Sequence, residues 1–231
     1  MFSIYAMTAD CLRKNPVFYA IAAVVLSLPS LLSIKESYYL GPLLIGTFAL
    51  TQGLLGHMLK QEPLLAGFSK SMRKVILPVL LLVVPPIVLA IGAAMVLAGG
   101  TPTEVFLGTL FTAWFAISLL WTALSGMALP AAVAGESFSP GQAFARAGRT
   151  ALPVLGGLFI GPILSTVVIA VLLITLFFLT GSAAWIDSPV PFFALSIVSN
   201  LATLVIFTLG VAVLVRAWSL RIAPPSVAEV F

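Results

Sequence analysis

Charged residues are scarce in this sequence. Asp, Glu, Lys and Arg make up 8% of its 231 residues, hydrophobic residues make up 61%, and the mean hydropathy is +1.20. Soluble domains carry about 25% charged residues. The composition therefore excludes a chain whose surface faces mainly water, and it indicates a protein that lies in lipid.

Cysteine and histidine are almost absent, with Cys11 and His57 the single examples. They cannot build a disulfide framework or a zinc site made of Cys and His clusters. Intramembrane proteases need paired aspartates, a Ser/His pair or an H-E-x-x-H motif, and the sequence offers none of these. We predict a protein that is not an enzyme and has no metal or cofactor. We interpret His57 as an interfacial polar residue, the alternatives being a proton relay or a headgroup contact.

Long apolar runs dominate the sequence instead. A helix needs roughly 20 apolar residues to cross the hydrocarbon core, and six runs without Asp, Glu, Lys or Arg have about that length. They predict an all-α polytopic membrane protein with six transmembrane helices in three hairpins, which forms a single integral membrane domain over residues 1–231. The runs lie near residues 16–34, 38–59, 75–98, 105–130, 153–180 and 192–215.

Lys and Arg are distributed unevenly between the predicted loops. With six spans, ten of the cations share the side of both termini, whereas the other side holds only Lys35. Cytoplasmic loops collect Lys and Arg, so we expect both termini to be cytoplasmic, in a bacterial inner membrane. The ten are Arg13, Lys14, Lys60, Lys70, Arg73, Lys74, Arg146, Arg149, Arg216 and Arg221.

The pattern repeats along the chain. Three repeats, residues 1–60, 61–134 and 135–231, each begin with a basic amphipathic helix that leads into a two-span hairpin. In the first repeat the apolar stripe is Phe2, Tyr5, Ala9 and Leu12, and Arg13-Lys14 follows it. Such repeats occur in transporters, but a hairpin duplicated for packing alone gives the same pattern.

The basic helices are candidate sites for anionic headgroups or for a protein partner, because juxtamembrane cations are attracted to anionic lipid. Topological anchoring explains the same charges. In AGESFSPGQAFARAGR, residue Ser139 caps a short helix that ends near Gly148. We expect Phe144 to contact lipid or the helix bundle, and Arg146 to face away from the protein. The candidate headgroup or partner contacts are Lys70, Arg73, Lys74, Arg146, Arg149 and Glu136, the last expected near Arg146 or the helix N-terminus.

Within the spans, Gln52 and Asn200 are the polar candidates, either for a contact in the bundle interior or for a substrate. Gly157 and Gly161 form a G-x-x-x-G motif that permits close helix approach. Pro85-Pro86 should break or kink the third span, and Pro162 should kink the fifth. These prolines are either hinges or packing features.

Two segments, FALTQGLLGHMLKQEP and ALPAAVAGESFSPGQAFARAGR, resemble the membrane domain fused to some bacterial glycerophosphodiester phosphodiesterases and its standalone relatives. Pro130, Glu136, Ala143 and Arg146 stand at the positions that carry the resemblance. The chain departs from the family where Arg146-Ala147 replaces a frequent Arg-Ser, and it lacks the phosphodiesterase barrel. The resemblance implies a membrane module without inherited catalysis.

These observations predict a non-enzymatic integral membrane module, an accessory subunit or scaffold of a membrane complex. Anionic lipid of the inner leaflet is its candidate ligand, a protein in the membrane is its expected partner, and nucleic acid is not. The alternative is a passive transporter, or one for a lipid-like substrate, which the repeat and the prolines favour.

Overall fold

The computed structural model describes residues 2–32, 40–65, 73–136, 139–180 and 189–222. Every regular element in these ranges is a helix, which confirms the all-α prediction. The chain divides into two compact units. The first contains Met1–Gly67 and Gly157–Val213, and the second contains Phe68–Gly156 and Leu214–Phe231.

The first unit begins with α1 (Phe2–Lys14), α2 (Pro16–Leu32) and α3 (Leu40–Lys60). α1 and α2 meet at Asn15 with a bend of 85°. Pro16 causes the break because it disfavours helical dihedrals in the residue before it. The side-chain amide of Asn15 closes the end of α1 by donating to the Cys11 carbonyl oxygen at 2.9 Å.

The second unit contains α4 (Arg73–Ala98), α5 (Thr103–Ser125), the short α6 (Ala128–Ala134) and all but the last two residues of α7 (Pro140–Leu158). α4 packs against both α5 and α6. A π-helical turn, Phe159–Ile163, joins α7 to α8 (Leu164–Thr180), and α9 covers Pro189–Ile222. The last two residues of α7, the π turn, α8 and most of α9 belong to the first unit.

Four helical segments in the described residues are long and apolar enough to cross a membrane: Val75–Ala98, Thr103–Ser125, Thr150–Thr175 and Phe193–Leu220. The bent pair α1 and α2 adds a fifth if the two count as one span. The protein is therefore an all-helical chain with four or five candidate spans, compatible with an integral membrane protein. Each of the six predicted runs contains a helix, but six crossings remain a prediction.

Two predicted boundaries are wrong. The fourth run does not continue to residue 130, because α5 ends at Ser125 and Pro130 lies in the separate α6. A proline is tolerated in the first turn of a new helix but not in the interior of the old one. The helix that starts at Pro140, as predicted, does not end near Gly148 but runs on to Leu158.

Pro85-Pro86 does not break α4, which is helical from Arg73 to Ala98. In a regular helix the N–H of residue 85 would donate to the Leu81 carbonyl, but proline has no N–H. The indole Nε1–H of Trp121 on α5 donates to that carbonyl oxygen instead, at 2.7 Å. The neighbouring helix thus supplies the hydrogen bond that the proline removes.

Pro162 lies inside the π turn, where a wider helical turn surrounds the residue without an N–H. The N–H of Leu164 bonds to the carbonyl of Phe159, five residues earlier. The hydroxyl of Tyr5 on α1 donates to the Ile160 carbonyl oxygen in the same turn, at 2.5 Å. The predicted irregularity at Pro162 therefore takes the form of a π turn that α1 also contacts.

Candidate functional site

The segment between α6 and α7 holds a close ion pair. α6 ends at Gly135, whose φ of 98° is the left-handed conformation that glycine adopts most readily, and the Gly135 N–H bonds to the Ala131 carbonyl. This turn leads directly to Glu136. The Glu136 carboxylate accepts a hydrogen bond from Arg146 Nη2 at 2.5 Å. Of the two placements predicted for Glu136, the structure shows the one beside Arg146.

Arg146 does not face away from the protein, contrary to the prediction. Its side chain is only 10% exposed, whereas that of Glu136 is 42% exposed. A carboxylate partner makes burial of a guanidinium tolerable, since an unpaired buried charge is costly. Arg146 is therefore engaged within the protein.

Phe144 lies on the same turns of α7 and packs edge-on against the Trp121 ring, with the ring centroids 5.3 Å apart. Of the two environments predicted for Phe144, lipid or the bundle, this contact shows that one side of its ring faces protein, while 37% of the residue remains exposed. Trp121 thus connects α7 with the carbonyl that Pro85 leaves free on α4.

The other predicted headgroup contacts cannot be placed by their side chains. Lys70 lies outside the described residues. Arg73, Lys74 and Arg149 lie in described helices, but their side chains lie outside the described part of the chain. Their roles remain predictions.

Asn200 and Gln52 have different environments. The Asn200 amide donates to the Ser27 hydroxyl at 2.9 Å, which joins α9 to α2. Gln52 is 7% exposed, and its Oε1 has no hydrogen-bond partner among the described atoms. The structure therefore joins Asn200 to Ser27, and the predicted packing role fits Asn200 better than Gln52.

The G-x-x-x-G motif is used at one of its two glycines. A Cβ added to Gly157 would lie 2.7 Å from Val213 Cγ1 on α9, whereas one added to Gly161 would lie 3.6 Å from Val213 Cγ2. Distances below about 3 Å force the neighbour to move, and valine is stiff because it is branched at Cβ. Close helix approach therefore depends on Gly157, while Gly161 leaves room for a methyl group.

His57 closes the C-terminal end of α3. Its Nδ1 lies 2.8 Å from the Glu62 carbonyl oxygen. A carbonyl only accepts, so Nδ1 carries the proton in this contact. Gln61, between them, has a left-handed φ of 55°. The contact gives His57 a structural use at a helix end.

A hydrogen-bond chain that the sequence did not reveal joins α1, α2 and α9. Thr208 donates to the Leu204 carbonyl at 2.7 Å, so its Oγ1 accepts from the Tyr19 hydroxyl at 2.8 Å. The Cys11 thiol then donates to the Tyr19 oxygen at 3.6 Å. Burial raises the pKa of the Cys11 thiol. All three side chains therefore have hydrogen-bond partners within the protein. We call this series of three residues, Cys11, Tyr19 and Thr208, the clamp on α1, because it joins α1 to α2 and α9.

Two open, mainly apolar grooves lie on the units. The groove of the second unit has a volume of about 500 Å³ and runs between α4 and α5, lined by Ala90 and Phe111 among others. The groove of the first unit, of about 480 Å³, runs between α1, α8 and α9. Its α1 wall contains Tyr5, Ala9 and Leu12, the predicted apolar stripe.

No group of three or more His, Cys, Asp or Glu side chains that could hold a metal lies in the described residues. Among the described residues, the basic end of α1, the ion pair at Arg146 and the two grooves are features with which a ligand or partner could interact. Comparison with known protein families, characterised proteins and solved structures finds no match for this chain. The resemblance to the phosphodiesterase-linked membrane domain accordingly stays a prediction.

Proposed function

We propose that the protein is a non-enzymatic, six-span module of the bacterial inner membrane that serves as an accessory subunit or scaffold and binds anionic lipid on its cytoplasmic side. The observation that carries this proposal is the 85° bend between α1 and α2, with Arg13 and Lys14 at the end of α1 next to the bend. If α2 crosses the bilayer, α1 lies close to the membrane plane, where amphipathic helices meet headgroups.

The faces of α1 agree with an interfacial position. Ile4, Thr8 and Cys11, at helical spacing, are buried against the protein. At its end, Lys14 pairs with Asp10 at 2.6 Å, and the Arg13 side chain is 82% exposed and only 3.4 Å from the same carboxylate. Two cations against one carboxylate leave a net charge of about +1, which attracts an anionic headgroup.

Arg146 contributes less to lipid binding than the sequence suggested. Its guanidinium is paired with Glu136 and mostly buried, so its charge is compensated before any lipid arrives. The proposal therefore transfers the principal headgroup contact from the fourth loop to the end of α1.

The lipid contact is tested by native mass spectrometry of protein exchanged into mixed phosphatidylglycerol and phosphatidylcholine of identical acyl chains. Either Arg13→Gln or Lys14→Gln alone removes the net charge and should lower the preference for phosphatidylglycerol about fivefold, from roughly 1 kcal/mol per uncompensated cation. Asp10→Asn should raise it. If none of these variants shifts the ratio and native purification returns neither anionic lipid nor a partner protein, the proposal is wrong.

The number of spans is tested with reporter fusions at the two ends of the chain. Six crossings put both reporters on the cytoplasmic side, whereas five crossings put them on opposite sides. Because α1 and α2 together supply at most one crossing, a result with opposite sides would indicate that either this bent pair or α3 does not cross the membrane.

A further inference from the structure

The groove of the first unit combines apolar walls with a buried hydroxyl. Tyr5, Thr8, Ala9 and Leu12 of α1 form one wall, and Val168 of α8 and Val205 of α9 lie on the others. The α8 wall belongs to the candidate span Thr150–Thr175 and the α9 wall to Phe193–Leu220. If those spans cross the bilayer, the medium that fills the groove is hydrocarbon and not water.

Two neighbouring faces of α1 have different environments. Ile4 and Cys11 point into the protein and are 6% and 1% exposed. Three residues of the apolar stripe predicted from the sequence, Tyr5, Ala9 and Leu12, line the groove. Ala9 is exposed, and its small side chain leaves the groove open.

The hydroxyl of Thr8 differs from those of eight other helical threonines in the described residues. It is only 4% exposed, and its Oγ1 has no hydrogen-bond partner in the described structure. A threonine in a helix ordinarily donates to the carbonyl four residues earlier, which for Thr8 is that of Ile4. Eight described threonines do so: Thr51, Thr109, Thr112, Thr150, Thr166, Thr175, Thr203 and Thr208.

A buried hydroxyl without a partner is destabilising, so a bound acceptor would relieve that cost. Thr8 itself lines the groove, and rotation about its χ1 exchanges the positions of Oγ1 and the methyl group. An ester carbonyl at the glycerol level of a phospholipid is an acceptor at the depth where an interfacial helix lies. Arg13 and Lys14 follow Leu12 directly, at one end of the α1 wall, where a phosphate would meet positive charge.

We propose that this groove binds one anionic phospholipid, with an acyl chain along Ala9 and Val168, an ester carbonyl accepting from Thr8, and the phosphate near Arg13 and Lys14. The inference rests on the proposed membrane module and goes beyond it. Contact of α1 with the bulk inner leaflet needs no groove, whereas this site holds a single lipid that accompanies the protein through purification.

The first test fills the groove. Ala9→Phe places a large side chain on its wall, and Ala6→Phe is the matched control, because Ala6 is exposed on the same helix but does not line the groove. In native mass spectrometry with phosphatidylglycerol, Ala9→Phe should lower the fraction of protein with one retained lipid at least tenfold, and Ala6→Phe should leave it unchanged. Phosphatidylcholine of the same chains and glycerophosphoglycerol without chains should both be retained poorly.

The second test removes the hydroxyl without changing its size. Thr8→Val should reduce retention of phosphatidylglycerol severalfold, whereas Thr203→Val, on an exposed threonine that already donates to Ser199, should not. Cys11 is buried in the folded protein, so its resistance to maleimide shows that each variant keeps α1 docked.

Retention in Ala9→Phe equal to that of the wild type overturns the groove site. Equal loss in both phenylalanine variants also overturns it, as does a change in oligomeric state or partner recovery without a change in lipid. If Ala9→Phe keeps both wild-type retention of the single lipid and charge-dependent lipid selectivity, the groove site fails while the proposed function stands.

Discussion

Replacing Trp121 with phenylalanine should destabilise the protein through a backbone group on another helix. Trp121 is the partner of the Leu81 carbonyl, at 2.7 Å, and Pro85 cannot donate to that carbonyl. Phenylalanine keeps an aromatic ring against Phe144 but removes the N–H. An unsatisfied buried acceptor costs about 1–3 kcal/mol, and hydrogen bonds within membranes average about 0.6 kcal/mol with a maximum near 1.7. We therefore expect a loss of about 1–2 kcal/mol in the free energy of unfolding.

A double-mutant cycle isolates the hydrogen bond from the change in packing. Pro85→Ala restores an N–H that can donate to Leu81, so Trp121→Phe should cost about 1 kcal/mol less in that background. The measurement is unfolding by sodium dodecyl sulfate in mixed micelles, followed by far-ultraviolet circular dichroism. Trp114→Phe on the same helix is the control, since Trp114 is 42% exposed. An equal cost of Trp121→Phe with proline and with alanine at position 85 would refute the argument.

Two further predictions use the same preparations. Gly157→Ala should lower the free energy of unfolding by about 1–3 kcal/mol, because the added methyl group meets Val213. Gly161→Ala should be neutral or stabilising by up to about 1 kcal/mol, and equal effects of the two substitutions would contradict the contact assigned to Gly157. Cys11 should react slowly with maleimide between pH 7 and 9, because burial raises the pKa of its thiol and leaves little thiolate. Tyr19→Phe should accelerate this reaction by weakening the clamp on α1, and an unchanged rate would show that the clamp does not hold α1 in place.

The sequence predicts the helices well because each one depends on properties of contiguous residues. Apolar runs place α2, α3 and α4 to within a few residues, and the serine and proline at 139 and 140 mark the start of α7. The predicted end of α7 was wrong because Gly148 resembles the glycine that often follows a helix, but the backbone continues in helical geometry through it. A glycine permits a helix end without requiring one.

The candidate sites were less predictable. Glu136 was expected either near Arg146 or at the helix N-terminus, and the structure joins it to Arg146. The burial of Arg146 could not be foreseen, because exposure depends on what packs beside α7. Thr8 has no distinguishing sequence signal, since it differs from the eight threonines that bond back only in that its buried hydroxyl does not bond to the Ile4 carbonyl.

By itself the sequence determined that this chain is helical, with helices long and apolar enough to span a membrane. Long, continuous apolar runs suit helices in hydrocarbon, because a helix forms its backbone hydrogen bonds within its own segment. Only the tertiary structure decided the remaining polar contacts. The Leu81 carbonyl meets a donor 40 residues away, and the Ile160 carbonyl meets Tyr5, which is 155 residues away. Such partners depend on how the helices pack, and no local pattern encodes that.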